Sequence, residues 1–365
     1  HHLHSAAAEA ITRLRPAESA ATVASHLAKA GPRSDAVPAM SMAGDEALAA
    51  TAWSSASAWF EEVLQRRSDP GPERIDALIG MGAAMRGLGR RTPARSALEE
   101  ALRTAGRFGT CRQTALATLR LVGGGARGVA DDMADADRAA LLSAAIDPLG
   151  PDDDDLRIPL QVELALALLL TDRAEERTAL AEDALARARS LQRPDLLARA
   201  LLGQRLAHHG PEHGEVRLAD AGEALAISPG RLSPDIVITA LMSRHEDALL
   251  IGDRALARSS LHEAQALAAA SQHPYWRWLV STWTVLDAII DGDLDHAEVA
   301  AFDALGFQAE HPEAIACLGV NLVDIRLFQG RSNEVVDLLA EAANANPHIP
   351  TYRAVLALCL AESAE

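Results

Sequence analysis

The chain has 365 residues, of which 49% are hydrophobic and only 3% aromatic, and its 51 acidic and 34 basic side chains leave a net charge of −17. An evenly acidic surface repels phosphate backbones, which argues against direct contact with DNA or RNA. Abundant Ala and Leu without strand-type alternation argue against a β or α/β fold and for an all-α chain. Three widely spaced cysteines, Cys111, Cys317 and Cys359, do not make a disulfide framework and point to a reducing cytoplasm. The longest apolar run, Leu164–Leu170, is too short to span a bilayer, and the opening His1-His2-Leu3-His4 does not read as a secretory leader.

Residues 3–67 read as four helices outside the repeat phase described below: Leu3–Leu14, Glu18–Ala30, a short Val37–Ala43, and a long Asp45–Arg66 with Asp45 as N-cap. The run Ser68-Asp69-Pro70-Gly71-Pro72 ends this segment. Helical hairpins then fill residues 72–365. The first pairs Glu73–Gly87 with Pro93–Gly106. The second begins with Thr110–Leu121, passes Gly123-Gly124-Gly125, and runs to Ile146. Pro148–Asp155 reads as a linker and the hinge of the array. Five more hairpins are expected over Leu156–Ser190, Pro194–Ile227, Pro234–Ala270, Pro274–Ala309 and Pro312–Asn344. Proline recurs at helix starts, where its missing N–H costs nothing. Thr351–Ala361 reads as the first helix of a hairpin cut off mid-repeat, whose open face offers a surface for self-association into a homo-oligomer.

The hairpins keep a period near 40 residues. Gly89, Asp132, Asp172, Glu212, Gly252, Gly292 and Gly330 mark the turns. Nine residues after each stand Leu98, Leu141, Ala181, Ala221, Leu261, Ala301 and Leu339, and twelve after stand Ala101, Ala144, Ala184, Ala224, Ala264, Ala304 and Ala342. Self-similarity at this period is the mark of a helical solenoid, an architecture whose main asset is an extended binding surface.

Catalytic and metal motifs find little support. The triple glycine lacks the Gly-Lys-Ser/Thr of a phosphate loop. His208, His209 and His213 with Glu212 lie in one turn without a second ligand group, and Asp152–Asp155 lacks the alternating ligands of a calcium loop. No Gly-x-Ser-x-Gly elbow is present, and His245 takes the slot that Gly82 fills in the first hairpin, where it is expected to pack. No cofactor or metal is expected, and the chain reads as non-enzymatic. The binding candidates are of another kind. Tyr275, Trp276, Arg277, Trp278 and Trp283 concentrate the residue types that dominate recognition hot spots, although bulky filler between repeats would give the same pattern. If first helices line the inner surface, then Arg199, Met242, Glu246, Leu286, Asn321 and Asp324 face the groove; Asn321 and Asp324 would equally serve interhelical hydrogen bonds, for example to Arg326.

The spacing Gly82/Gly89/Ala94/Leu98/Ala101 resembles the tetratricopeptide repeat in a long form. More narrowly, Leu3–Ile11, Ala24–Gly31, Tyr275–Trp278 with Gly292–Glu298, and Asn346–Arg353 resemble the C-terminal sensor arrays of large actinobacterial signalling ATPases: the MalT-like LuxR-family regulators and relatives with activator or adenylyl cyclase modules. The resemblance implies a right-handed superhelix of antiparallel hairpins behind a helical segment that follows an ATPase module. It implies a cytoplasmic sensor that binds a small-molecule inducer, a protein or a peptide and passes the signal to the ATPase and output domains of a parent chain. A cyclase-linked sensor arm and a constitutive peptide-binding scaffold are the alternatives. Neither catalytic nor inducer-contacting residues carry over.

Overall fold

The computed structural model describes residues 2–14, 20–30, 36–123, 135–169, 171–227, 230, 232–271, 273–308, 312–347 and 350–362. Among these residues every regular element is a helix. In chain order they are α1 (His2–Leu14), α2 (Ala20–Lys29), α3 (Val37–Ala49), α4 (Trp53–Arg66), α5 (Pro72–Gly87), α6 (Arg91–Phe108), α7 (Cys111–Val122), α8 (Asp135–Ile146), α9 (Asp154–Ala167), α10 (Ala174–Ser190) and α11 (Pro194–Ala207). There follow α12 (Gly214–Ala226), α13 (Pro234–Leu250), α14 (Arg254–Ser271), α15 (Pro274–Asp291), α16 (Leu294–Leu305), α17 (Pro312–Phe328), α18 (Val336–Ala345) and α19 (Pro350–Glu362), with short 3₁₀ turns at Pro211–His213 and Ser332–Val335. None of these helices is long and apolar enough to cross a membrane.

The punctuation is local chemistry. Six helices, α5, α11, α13, α15, α17 and α19, start on a proline, where the fixed φ suits the first turn. Thr110 caps α7 through a reciprocal pair with Gln113. The turn glycines Gly89, Gly252, Gly292 and Gly330 have φ between 69° and 85°, a left-handed conformation that residues with a Cβ adopt only under strain.

The chain forms two compact units, one holding α1–α11 and the other α12–α19. Each is a stack of antiparallel hairpins. In the first, α1–α2, α3–α4, α5–α6, α7–α8 and α9–α10 pair in succession and α11 packs on α9 and α10. In the second, α12 packs on α13, and the pairs α13–α14 and α15–α16 precede α17, α18 and α19. The hairpin expected over Pro194–Ile227 therefore has its two helices in different units.

Within a hairpin the repeat positions do what their sizes dictate. Ala94, Leu98, Ala101 and Ala105 form the buried stripe of α6, and a Cβ on Gly82 would lie 2.4 Å from Leu98 Cγ, so glycine is what lets α5 approach so closely. The expected pair nine and twelve residues past the turn is buried at Ala181/Ala184, Ala221/Ala224, Leu261/Ala264 and Ala301/Ala304. It shifts by one in α8, where Leu142 and Ala145 are buried while Leu141 is half-buried and Ala144 exposed. In α18 Leu339 is buried as expected, but the second core position falls on Ala343, one helical turn on, and Ala342 is half-buried.

The phase also starts earlier than the sequence suggested. Val37–Ala43 is the first half of a helix that continues to Ala49, so Asp45 is an interior residue and not an N-cap. The chain turns at Thr51, whose φ of 56° makes it the sole non-glycine residue with positive φ among those described. Five, nine and twelve residues on stand Ala56, Phe60 and Val63, all buried, and seven residues back stands Gly44, whose Cβ would lie 2.6 Å from the Phe60 ring. These are the offsets of Ala94, Leu98, Ala101 and Gly82 around Gly89, so α3–α4 is a repeat in phase. Thr51 concealed it because it supplies by strain what glycine supplies freely.

Pro148–Asp155, the segment expected as a hinge, forms a turn tied by several contacts. Asp153 accepts from the Gly150 amide at 2.7 Å, Arg157 donates to the Leu149 carbonyl at 2.6 Å, and Arg112 on α7 pairs with Asp153 at 2.6 Å and Asp155 at 2.7 Å. Leu149 and Leu156 sit in the core between α7, α8 and α9.

Candidate functional site

Repeat phase places Glu246, Leu286 and Asp324 at one equivalent position, six residues before Gly252, Gly292 and Gly330. The first helices that carry them, α13, α15 and α17, pack in sequence, α13 on α15 and α15 on α17. Glu246 and Leu286 are half-buried, and Asp324 is exposed, with partial withdrawal from water holding its carboxyl above the ordinary range. Asn321 does not bond Arg326; its amide reaches Cys317 Sγ at 3.9 Å within α17. Arg326 instead ties α17 to α16 through Glu298 at 2.5 Å and bonds Glu334 at 3.1 Å. The Cys317 thiol is pushed up to about 11 by burial and by the Glu313 carboxylate. Met242 is buried. Arg199 is exposed on α11 in the first unit, so the structure does not gather all the named groove residues in one unit.

The aromatic residues divide between two cores. Trp278, 2% exposed, packs with Ala304 and Ala314 beside Tyr275 and Phe307. Trp276 and Trp283 are half-buried against Ile238, Leu241 and Met242. Tyr275 meets Trp276 edge-on with centroids 5.1 Å apart, and the Arg277 guanidinium lies 4.4 Å over the Phe307 ring. Such contacts are worth about a kcal/mol each beyond burial. The segment thus cements α15 to the hairpins on either side.

The second unit holds a buried polar layer that the motif analysis missed. Arg217 Nε on α12 donates to Asp247 Oδ1 on α13 at 2.9 Å, with side chains only 8% and 0% exposed. Two residues before Asp247, buried His245 lies with Nδ1 2.9 Å from the Ala257 carbonyl, which fixes that nitrogen as the protonated donor. Its ring stands edge-on to Trp283 at 5.3 Å. Arg217 and Ala257 both lie five residues after a turn position, the slot Ala94 fills in the first hairpin, and that shared offset was the available signal.

The remaining motifs make local contacts where they are described. The Asp152–Asp155 run serves the tied turn, with Asp154 pairing Arg187 at 3.2 Å. Gly123 accepts at its carbonyl from Arg86, and Gly124 and Gly125 lie outside the described residues. His213 is 3.5 Å from Glu212, and no three His, Cys, Asp or Glu side chains among the described residues converge as a metal set. The fold is thus an all-α helical repeat. Compared with protein-family models and with curated proteins, the chain matches none.

Proposed function

We propose that this chain is a non-catalytic interaction array, the sensor region of a multidomain regulator of the LuxR type, which binds a protein, a peptide or a small inducer. The observation that carries the proposal is the run of first helices α13, α15 and α17, whose Glu246, Leu286 and Asp324 repeat at one position. A series of equivalent side chains on successive repeats is how solenoids present an extended recognition surface. Binding to a panel of synthetic peptides spanning basic to acidic and polar to apolar sequences, read by fluorescence anisotropy, tests it. Saturable binding of some members supports the array; uniform absence of binding refutes the peptide-binding form of the proposal.

One feature, the tied turn at Pro148–Asp155, supports a second reading, a constitutive scaffold without switching. Hydrogen exchange across 148–155 separates them: protection unchanged by a bound partner fits the scaffold, and ligand-dependent protection fits the sensor.

A further inference from the structure

We infer that the second unit docks a basic amphipathic helix along a ladder formed by Leu250, Ile290 and Phe328; this deepens the interaction-array proposal and rests on it. The three residues stand two before Gly252, Gly292 and Gly330, at the ends of α13, α15 and α17. They are 45%, 49% and 71% exposed. In the first unit the same offset from Gly89 is Gly87, buried against Trp53. Single exposed apolar residues are ordinary, but three large ones at one repeat position form a line and not a scatter.

Charge names the occupant. Residues 211–365 hold 23 acidic and 9 basic side chains, so they carry 14 of the 17 net negative charges. Glu246 and Asp324 stand one helical turn before Leu250 and Phe328, and Asp291 follows Ile290. Asp291 is held by Arg254 at 2.6 Å and Arg258 at 2.7 Å, whereas Asp324 makes no ion pair among the described residues. Apolar rungs in a net acidic field fit a partner with an apolar stripe flanked by Lys and Arg. Packed helices lie about 8–10 Å apart, and seven residues of α-helix rise about 10.5 Å. A partner helix with apolar residues every seventh position would set one on each rung.

The test uses the full chain and two labelled synthetic helices of about 21 residues, with leucines at a seven-residue repeat and either Lys or Glu at the flanking positions. Fluorescence anisotropy should show saturable, salt-sensitive binding of the Lys peptide and none of the Glu peptide. Ile290→Ser with Phe328→Ser should weaken the Lys peptide at least ~tenfold, while Phe302→Ser, at an exposed site on α16, leaves it unchanged. All three positions are exposed, and unchanged tryptophan emission verifies that the variants fold. Lys-peptide binding that ignores the ladder substitutions overturns the ladder and leaves the array proposal standing, as does equal binding of the Glu peptide. A dimer seen by sedimentation velocity and lost on the same substitutions assigns the ladder to a second copy and overturns the helix. If neither these helices nor the wider peptide panel binds, the ladder and the peptide-binding form of the array proposal both fall.

Discussion

The Arg217–Asp247 pair lends itself to a double-mutant cycle. Both side chains are withdrawn from water, 8% and 0% exposed, and the bond is 2.9 Å long. Taking charges out of water costs several kcal/mol per ion, which the partner offsets only while present. Arg217→Met leaves the Asp247 carboxylate buried without its guanidinium and should cost about 3–5 kcal/mol. Asp247→Leu strands the guanidinium instead; a long arginine stem can swing its head toward water, so the expected loss lies at the low end of that range. The double variant removes both charges and keeps the volume, and should recover to within about 1 kcal/mol of the parent or exceed it. The two single losses then exceed that of the double variant by about 5 kcal/mol or more, a coupling well beyond the error of a cycle. Urea unfolding followed through Trp276, Trp278 and Trp283, all in the second unit, reads these changes, with Trp53→Phe and Trp59→Phe in the background to silence the first unit. Additive losses, or single variants costing under about 1 kcal/mol, would show that the pair is solvated in solution and would refute the buried-layer account.

Three further outcomes follow from the packing. Gly82→Ala should lower the melting temperature, because its Cβ would lie 2.4 Å from Leu98 Cγ; overpacking costs about 1–3 kcal/mol against a propensity gain of about 1 kcal/mol, and Leu98→Ala in the same chain should partly relieve the clash. Alkylation of the native chain at pH 8 should mark exposed Cys111 first and spare Cys317, whose thiol titrates near 11; mass spectrometry of peptides after a short iodoacetamide pulse checks the order. Asp153 and Asp155 have folded pKa values held below the ordinary 3.8, chiefly by hydrogen bonds from Arg112. Their contribution is therefore present above about pH 4 and lost as pH falls through the depressed values, so amide protection at 148–155 should collapse on acidification below pH 4, and Arg112→Ala should reproduce that loss at neutral pH.

Much of the fold was legible because each turn is written in few residues. Gly252, Gly292 and Gly330 mark left-handed turns, and the prolines at 194, 234, 274 and 312 open the helices that follow. What escaped reading had definite causes. Thr51 adopts the left-handed turn without the glycine that would betray it. In α18 the core residue after Leu339 is Ala343, four positions on and not three, which a fixed count of twelve misses. Four consecutive aspartates looked like a solvated linker because Arg112, the partner of Asp153 and Asp155, is some 40 residues away in sequence. The candidate site was less legible still. Aromatic concentration attracts a binding interpretation, yet Trp278 is needed to fill space beside Ala304 and Ala314, where small residues leave room for it. The exposed ladder was hidden for the opposite reason: Leu250, Ile290 and Phe328 look like ordinary core residues until their offset from the turn glycines is compared across repeats.

Among the described residues, every substantial packing contact between helices joins elements adjacent or next-but-one in the chain. Such a molecule has a mechanical character unlike that of a closed globule. Within each unit the described helices pack substantially only on these near neighbours, so hairpins of a pulled unit should peel away in turn. Each repeat of about 40 residues pays out roughly 130 Å of extended chain, less the width of the hairpin lost. Force–extension traces should therefore show a sawtooth of near-equal steps at low force, with refolding on relaxation one hairpin at a time. A chain tethered between two larger bodies would then act as a compliant spring whose slack comes in units of one repeat.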